Sequence, residues 1–455
     1  MLPRRRFLRN ATLAALAFPA LVRGQNLNSR LQLVQVGCGG KGAEDIRQAS
    51  SHPKVRYVGF CDVDAAAFGM AAPGAPRFSD YRVMFDRLGD GFDAAVISTP
   101  DHMHALPALR AIRLRKHVYL QKPLAHDLGE VRELRLAAER AGVRTQMGIQ
   151  NHSSSVYRTA VALARSGRIG KVLSVHVWQS SRGNQWTGRK ERPAPAAPPA
   201  NLAWDLWLGG AEARPYAPGV YHPLHWRDWK DFGGGALGDF GCHMLDPIFS
   251  ALGLGAPISV VAESSGLHPE TWSASQTVRY TFPGTPLTAG PTVTVTWYDG
   301  GRQPDVALAR LPSGMSLPRD GSLMVGELGV ILLPQVSPPL LFPVETFGVA
   351  LSPGDAARRR RLLASGEKDD RKVAEIEAVP GRNHYHDWVD AALGGPETTA
   401  NFAYAAPLTE AVLLGNLAAL FPGEELRWDA PGLRVTNHAG AQALVRRSWR
   451  DGWTA

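Results

Sequence analysis

Residues 31–42 read LQLVQVGCGGKG, an apolar run that turns directly into a glycine-rich loop. Gly37, Gly39 and Gly42 have the spacing G-x-G-x-x-G, and a helical pattern follows them. The first glycine lets the strand turn sharply, the second lets backbone N–H groups approach a pyrophosphate, and the third lets the helix pack close to the sheet. The stretch predicts a βαβ unit whose loop, Gly40 included, binds a dinucleotide at a helix N-terminus.

The next strand pattern, VRYVGFCDVD at residues 55–64, contains Asp62 at its end. A carboxylate at this distance from the glycines would bind the adenosine ribose hydroxyls and would repel a 2′-phosphate. Glycines alone would be weak support, because the chain has 47 of them. A strand, a helix and a carboxylate in the expected places favour the dinucleotide site over chance. The predicted cofactor is NAD, with NADP less favoured.

Residues 1–24 have the composition of a targeting signal. Arginines precede an apolar region at residues 11–22, which is too short for a membrane span. The run RRRFL resembles a twin-arginine export signal, a route that carries folded proteins and so allows a cofactor to be loaded before export. A retained anchor or a chance basic start is the alternative. We expect a periplasmic or secreted protein with no stable membrane span after processing.

The charge argues against a nucleic-acid-binding protein, and the cysteines argue against a disulfide-stabilised one. The formal net charge of +9 falls to +4 without the five arginines of residues 1–24, so no nucleic-acid partner is expected. Cys38, Cys61 and Cys242 fall at positions predicted to be buried or to face the cofactor, which favours free, packed thiols. Cys38 and Cys61 are the one pair that adjacent strand ends could bring together.

The order of the patterns predicts an α/β protein of two domains. Strands and helices alternate over residues 31–150, which predicts a doubly wound Rossmann-type parallel sheet with ligands at the carboxyl ends of its strands. From residue 151 to 455, successive strands without intervening helices predict an α/β domain with a large, mainly antiparallel open sheet. We assign substrate binding and subunit contacts to this second domain. Late helical patterns at residues 385–393 and 408–421 leave open which of them packs back on the first domain.

Two motifs carry the predicted chemistry. Lys122 follows an apolar strand in the sequence QKP, where a lysine can hold a substrate hydroxyl and share its proton if desolvation lowers its pKa. In GDFGCHMLD, Asp239 and His243 are four residues apart and share a helix face. His243 can exchange a proton with a carbinol oxygen near neutral pH, while Asp239 orients it or holds a hydroxyl. The alternatives are a solvated lysine, a capping aspartate and a core histidine.

The second domain contains candidate substrate ligands. Six of the twelve tryptophans fall between residues 178 and 229, where aromatic faces could bind sugar rings, although large aromatics more often pack in cores or interfaces. We therefore select only Trp226 and Arg227 from this region, together with Asn151 and His243. A metal site built from His222, His225 and His243 lacks any fixed geometry, and no metal is predicted.

These residues together resemble the glucose-fructose oxidoreductase, inositol dehydrogenase and rhizopine-catabolism family (Gfo/Idh/MocA), and its secreted branch in particular. The matching segments are GCGGKG, CDVD, STPDHMH, QKPL, GRIGKV, WDLWLG, GGGALGDFGCHMLD and PLTEAVLLGNLA. The resemblance implies bound NAD(P), a sugar or polyol substrate, and a homo-oligomer formed through the second-domain sheet. It implies catalytic roles for Lys122, Asp239 and His243, and cofactor contacts for Thr99, Pro100, Asp101, His104, Gln121 and Lys122. The family usually has Glu-Lys-Pro, so Gln121 removes a carboxylate next to Lys122.

Three functions remain open from the sequence. The first is an NAD-dependent oxidoreductase that acts on a CH–OH group of a sugar, polyol or sugar derivative with a tightly bound cofactor. The second is an NAD-dependent glycoside hydrolase that works by transient oxidation and elimination. The third is a non-catalytic, NAD-containing sugar-binding or assembly protein, for which Gln121 is the best support.

Overall fold

The computed structural model describes residues 30–180, 191–192, 194–350, 353–365, 372–374 and 376–454. The predicted export signal and Trp186 lie outside these residues. Within the described ranges, no helix has both the length and the apolar character needed to cross a membrane.

The first domain is a parallel sheet with helices on both faces. Its strands are Leu31–Val36 (β1), Val55–Cys61 (β2), Arg77–Phe78 (β3), Ala94–Ile97 (β4), His117–Gln121 (β5) and Thr145–Gly148 (β6). Its helices are Lys41–Ser50 (α1), Tyr81–Leu88 (α2), Ala105–Arg113 (α3) and Leu128–Ala141 (α4). The strand order is β3-β2-β1-β4-β5-β6 and every pairing is parallel. The predicted doubly wound sheet is confirmed, and the order reverses between β1 and β4, where such sheets bind ligands.

Local sequence explains the elements of this domain. The central strands are apolar on both faces because helices cover both; all four residues of β4 are buried. Helix α4 begins where the Asp127 carboxylate accepts a hydrogen bond from Glu130 N at 2.9 Å, and it ends at Gly142 in the left-handed conformation. The carboxyl ends of β1, β4 and β5 are thereby held at one edge of the sheet.

The second domain is built on a nine-stranded mixed sheet. Its strands are Val172–Gln179 (β7), Ser259–Ser264 (β8), Gln276–Pro283 (β9), Thr292–Asp299 (β10), Gly321–Gly326 (β11), Val330–Leu333 (β12), Leu340–Phe342 (β13), Leu426–Asp429 (β14) and Arg434–Val435 (β15). Its helices are Ser155–Arg165 (α5), Trp204–Leu208 (α6), Gly235–Leu252 (α7), Val344–Phe347 (α8), Pro353–Ala364 (α9), His384–Ala392 (α10), Phe402–Ala418 (α11) and Ala439–Ala443 (α12). The strand order is β13-β12-β11-β7-β10-β9-β8-β14-β15. Only the β7–β10 pairing is parallel, so the predicted mainly antiparallel sheet is confirmed.

Both late helices lie against the first domain. Helix α10 packs on α1 and buries Trp388 against Leu33 and Tyr119, while α11 packs on α4 as well as on α7. The segment after α12 adds Arg447, whose guanidinium contacts Glu130 at 2.7 Å. The second domain therefore packs against helices α1 and α4 of the first domain.

All three cysteines are buried and free, as predicted. Cys38 Sγ lies 3.5 Å from the carbonyl oxygen of Cys61 rather than against its thiol. Burial raises the pKa of both thiols, so neither is a reactive thiolate at neutral pH.

Candidate active site

The glycine loop has the geometry that a dinucleotide requires. Gly37 has φ of 84°, and a Cβ atom there would lie 2.6 Å from the Ser98 carbonyl oxygen. A Cβ on Gly42 would lie 2.0 Å from the Gly37 carbonyl oxygen, so Gly42 permits the close approach of α1 to β1. Gly40 caps α1 without a side-chain hydrogen bond, which leaves the helix N-terminus available to a phosphate.

A cleft of about 460 Å³ runs from this loop across the strand ends to the second domain. Twelve of the predicted site residues line it: Gly37, Gly39, Gly40, Asp62, Thr99, Pro100, Asp101, His104, Gln121, Lys122, Trp226 and Arg227. Gly42 packs behind the loop, and Asp239 contacts two lining residues, Lys122 and Arg227. Asn151 and His243 do not line the cleft; Asn151 lies just beyond β6 on a short helical turn.

Asp62 lies where the adenosine end of the cleft is predicted. Its carboxylate accepts hydrogen bonds from Cys38 N at 2.6 Å and from Asp64 N at 2.9 Å. Burial raises the pKa of Asp62, and these backbone hydrogen bonds oppose that rise. Each oxygen keeps a free lone pair, so the carboxylate can also accept a hydrogen bond from a ribose hydroxyl. The glycine loop and Asp62 together fit NAD.

At the inner end of the cleft, Lys122 and Arg227 share one carboxylate. Asp239 Oδ1 accepts hydrogen bonds from Lys122 Nζ at 2.7 Å and from Arg227 Nε at 2.9 Å. Although burial opposes it, the two cations hold the pKa of Asp239 well below its usual range. The Arg227 guanidinium also lies 4.2 Å from the centre of the Trp226 ring. Asp239 is therefore ionised and fixes both cations at the cleft.

Two further groups lie near Lys122. Burial raises the pKa of Asp101 to about 7, against the opposing charges of Lys122 and Arg227. Burial also lowers the pKa of His243 to about 3, and the charge of Lys122 lowers it further. At neutral pH the His243 imidazole is therefore uncharged. His243 Nδ1 is buried and has no hydrogen-bond partner among the described residues.

The His104 ring contacts the backbone just beyond the ends of two strands, β4 and β5. Its Nδ1 lies 2.6 Å from the Pro123 carbonyl oxygen and its Nε2 lies 2.9 Å from that of Thr99. Burial lowers the pKa of His104 to about 4, so the ring is neutral and donates to only one of these carbonyls at a time. This ring positions the backbone on either side of the cleft.

The tryptophans of the second domain mostly form a core. Trp204 and Trp207 stack with their centres 4.8 Å apart, and Trp178 and Trp229 are fully buried. Trp207 and Trp226 also form part of the cleft wall. The rejected histidine cluster does not assemble, because His222 instead lies 2.9 Å from Asp64. Among the described residues, no group of three or more His, Cys, Asp or Glu side chains has the arrangement of a metal site.

Sequence reasoning missed a buried carboxylate behind the cleft. Asp45, on α1, accepts hydrogen bonds from Gln121, Ser98 and Tyr385. No spacing along the chain marks this residue, since its partners come from β5, the end of β4 and α10. These residues meet only in the folded protein.

A parallel glycine-loop sheet joined to a large mixed sheet, with a lysine at the strand end between them, defines a two-domain dinucleotide-binding protein. Residues 31–149 match the family model for the NAD-binding Rossmann fold of the Gfo/Idh/MocA oxidoreductases, and residues 157–287 match the model for the family's C-terminal alpha/beta domain. Together these matches cover more than half of the chain. The chain belongs to the Gfo/Idh/MocA oxidoreductase family, and its first domain is an NAD-binding domain.

Several relatives of this chain have names that describe enzymes of sugars and polyols. The chain is 28% identical over 145 residues to glucose-6-phosphate 3-dehydrogenase of Bacillus subtilis and 29% identical over 148 residues to inositol 2-dehydrogenase of Salmonella paratyphi B. These matches cover 31% of this chain and 40% and 43% of the two relatives. A match of 32% identity over 101 residues links it to 2,7-anhydro-N-acetylneuraminate hydratase of Escherichia coli, over 22% of this chain and 26% of that enzyme.

Solved structures share the whole fold. The WlbA dehydrogenase of Chromobactrium violaceum, in complex with NADH and UDP-GlcNAcA, superposes with a TM-score of 0.59 at 16% identity, over 89% of this chain and 97% of that one. The aldose-aldose oxidoreductase of Caulobacter crescentus, complexed with glycerol, gives a TM-score of 0.56 at 16% identity, over 88% and 100%. At such identity, the likeness establishes the fold.

Proposed function

We propose that the protein is an NAD-dependent oxidoreductase that acts on a CH–OH group of a sugar, polyol or sugar derivative and keeps its cofactor tightly bound. The observation that carries this proposal is the position of Lys122, which lines the NAD cleft and is fixed there by a 2.7 Å hydrogen bond to Asp239. When bound, NAD supplies the acceptor for the hydride that leaves the carbinol carbon.

The chain's own residues bind the hydroxyl and manage its proton. Lys122 Nζ donates to the Asp239 carboxylate and to the Asp239 carbonyl oxygen, and its third N–H can stabilise negative charge that develops on the substrate oxygen. His243 lies near Lys122 behind the cleft wall, and its imidazole is uncharged at neutral pH, so it is our candidate acceptor for the hydroxyl proton. Arg227 and Trp226 offer a guanidinium and a ring face to the rest of the sugar. Lys122, Asp239 and His243 are therefore our candidate catalytic residues.

A second candidate is an NAD-dependent glycoside hydrolase that works by transient oxidation and elimination and returns the hydride at the end of each turnover. It uses the same residues. The observation that favours it is the match to a hydratase of an anhydro sugar, whose name describes a reaction without net oxidation.

Three features of the natural context are part of the proposal. Residues 1–24 would direct export of the folded protein by the twin-arginine route, and the mature protein would be periplasmic or secreted. The Rossmann domain would span residues 31–150, and the substrate domain, residues 151–455, would form a homo-oligomer through its sheet. A compartment without free NAD would favour a cofactor that is retained and recycled.

The test is to express the full chain, identify any co-purified dinucleotide, and incubate the protein separately with free sugars, polyols and aryl glycosides. Net NADH formation from a free sugar or polyol is the expected result. Release of sugar from an aryl glycoside without net NADH would replace the dehydrogenase by the hydrolase. Bound NAD with no reaction in either assay would contradict both.

A further inference from the structure

Asp45 is a buried carboxylate that four side chains surround. Its side chain is fully buried on α1. Oδ2 accepts hydrogen bonds from Gln121 Nε2 and Ser98 Oγ, both at 2.7 Å, while Oδ1 accepts one from Tyr385 OH at 2.7 Å and lies 3.2 Å from Lys41 Nζ. Three hydrogen bonds and the Lys41 ammonium therefore compensate the burial of this carboxylate.

This arrangement fixes the orientation of the Gln121 amide. Asp45 Oδ2 accepts its hydrogen bond from Gln121 Nε2, so Oε1 of the same amide points away from Asp45. Gly148 packs against the same amide, because a Cβ atom there would lie 2.6 Å from Gln121 Oε1. Gln121 lines the cleft immediately before Lys122. In this orientation Gln121 uses one Nε2 N–H for Asp45, and its carbonyl oxygen can accept a hydrogen bond from another group.

We infer that Asp45 and Gln121 act as a unit. Asp45, on α1, supplies the carboxylate that Glu-Lys-Pro relatives carry at the strand end. It orients the Gln121 side chain so that the carbonyl oxygen accepts a hydrogen bond from a ribose hydroxyl of NAD. Asp45 is thus a positioning residue for the cofactor. The inference rests on the NAD assignment and is independent of which substrate is oxidised.

Restoring the family's usual glutamate at position 121 would disturb this arrangement. Gln121→Glu would place a second carboxylate within hydrogen-bond distance of Asp45, and two carboxylates this close cannot both ionise without a large cost. Restoring the family sequence should therefore impair NAD binding. Asp45→Asn combined with Gln121→Glu would exchange the amide and the carboxylate between the two positions and remove the repulsion.

The experiment measures NAD affinity by isothermal titration of dinucleotide-free full-length protein at pH 6 and pH 8. We expect Gln121→Glu to weaken NAD binding by about tenfold or more at pH 8 and by less at pH 6, where the pair shares a proton. The double variant should return to within about threefold of the wild type, and its affinity should lose the added pH dependence. As a matched control, Asp299→Asn changes another buried aspartate, one bonded to Trp297 at 2.9 Å in the second sheet, and should leave NAD affinity unchanged.

The result that overturns the inference is a double variant that binds NAD no better than Gln121→Glu, or a Gln121→Glu protein that binds as tightly as the wild type at pH 8. If Gln121→Glu fails to fold, recovery of folded, NAD-binding protein on adding Asp45→Asn supports the pairing, and no recovery refutes it. Because binding is measured without substrate, an inactive but NAD-binding protein would count against the oxidoreductase proposal alone.

Discussion

At the scale of single residues, the charge arrangement around Lys122 decides what the cleft can do. One carboxylate, Asp239, holds both Lys122 and Arg227, so the two cations are ordered before a ligand arrives. Preorganised donors of this kind stabilise developing negative charge without a cost of reorganisation during the reaction. His243 complements them because it remains a neutral proton acceptor.

Lys122→Ala should abolish turnover while NAD remains bound. The substitution removes the ammonium group that would bind the substrate oxygen but leaves the glycine loop intact, so we expect kcat to fall by about a thousandfold with little change in NAD affinity. Lys54→Ala, at an exposed position, is the control. Substantial activity in the Lys122→Ala protein would remove this residue from the mechanism.

Asp62→Ala should change cofactor preference. Loss of the carboxylate removes an acceptor for the adenosine ribose hydroxyls and a repulsion against a 2′-phosphate, so NAD should bind about tenfold more weakly while NADP binds as well as before or better. Titration with both dinucleotides measures the ratio of affinities. An unchanged ratio would argue against the place assigned to the adenosine.

Asp101 should make stability depend on pH. Burial raises its pKa to about 7 in the folded protein, so between about pH 4 and pH 7 the folded state keeps a proton that the unfolded chain has lost. This contribution to the free energy of unfolding is present at low pH and disappears as pH rises through 7. The melting temperature of the Asp101→Asn protein, measured relative to that of the wild type, should therefore rise between pH 5 and pH 8. A difference in melting temperature that does not change with pH would contradict the raised pKa.

At the scale of elements, a segment of the second domain forms one wall of the NAD cleft. Leu202 forms a β-bridge with Asp64, and the Asp64 carboxylate accepts hydrogen bonds from Asn201 Nδ2 at 2.6 Å and from His222, whose Nε2 lies 2.9 Å away. His222 and Trp207 of this segment line the cleft. The wall is thus fastened to the turn that follows β2, beside the adenosine end.

His222→Ala should speed NAD release. Without the imidazole, the wall loses a charge-assisted contact to Asp64, and we expect the dissociation rate of NAD to rise about tenfold, while turnover at saturating NAD changes little. His438→Ala, which removes a histidine paired with Glu424 far from the cleft, serves as the control. Stopped-flow displacement of bound NAD measures both rates, and equal rates would show that this contact does not retain the cofactor.

The parts of the fold that depend on residues close together in the sequence could be predicted. The glycine loop, the strand before it and the carboxylate after it are set by short-range backbone requirements, so Gly37 and Asp62 could be placed from spacing alone. Helix α10, His384–Ala392, was also predicted, at residues 385–393. Its docking on α1 was left open, because burial of Trp388 depends on a surface from the other end of the chain.

Long-range contacts explain what the sequence could not predict. The neutral state of His243 follows from its burial on α7, which no local pattern reveals. The Asp45 cluster joins residues that are far apart along the chain, with Gln121 and Tyr385 meeting at one carboxylate. A missing glutamate at position 121 therefore looked like a lost charge, whereas the fold places a carboxylate next to that side chain.

At the scale of the whole molecule, the cleft lies between a domain that binds NAD and a domain that supplies Arg227 and the carboxylate of Asp239. Neither domain has a complete site alone. Buried contacts by α10, α11 and the segment with Arg447 fix the two against each other, so the lysine at the end of β5 and the carboxylate on α7 meet without a large domain movement.

The most direct test of this account is a single-turnover measurement. NAD-loaded protein is mixed with a panel of sugars and polyols in a stopped-flow instrument, and absorbance at about 340 nm reports transfer of hydride to bound NAD. The account predicts a rise in absorbance with at least one sugar or polyol, slowed when the carbinol carbon carries deuterium and absent in Lys122→Ala. No rise with any of them, or an equal rise in the Lys122→Ala protein, would contradict it.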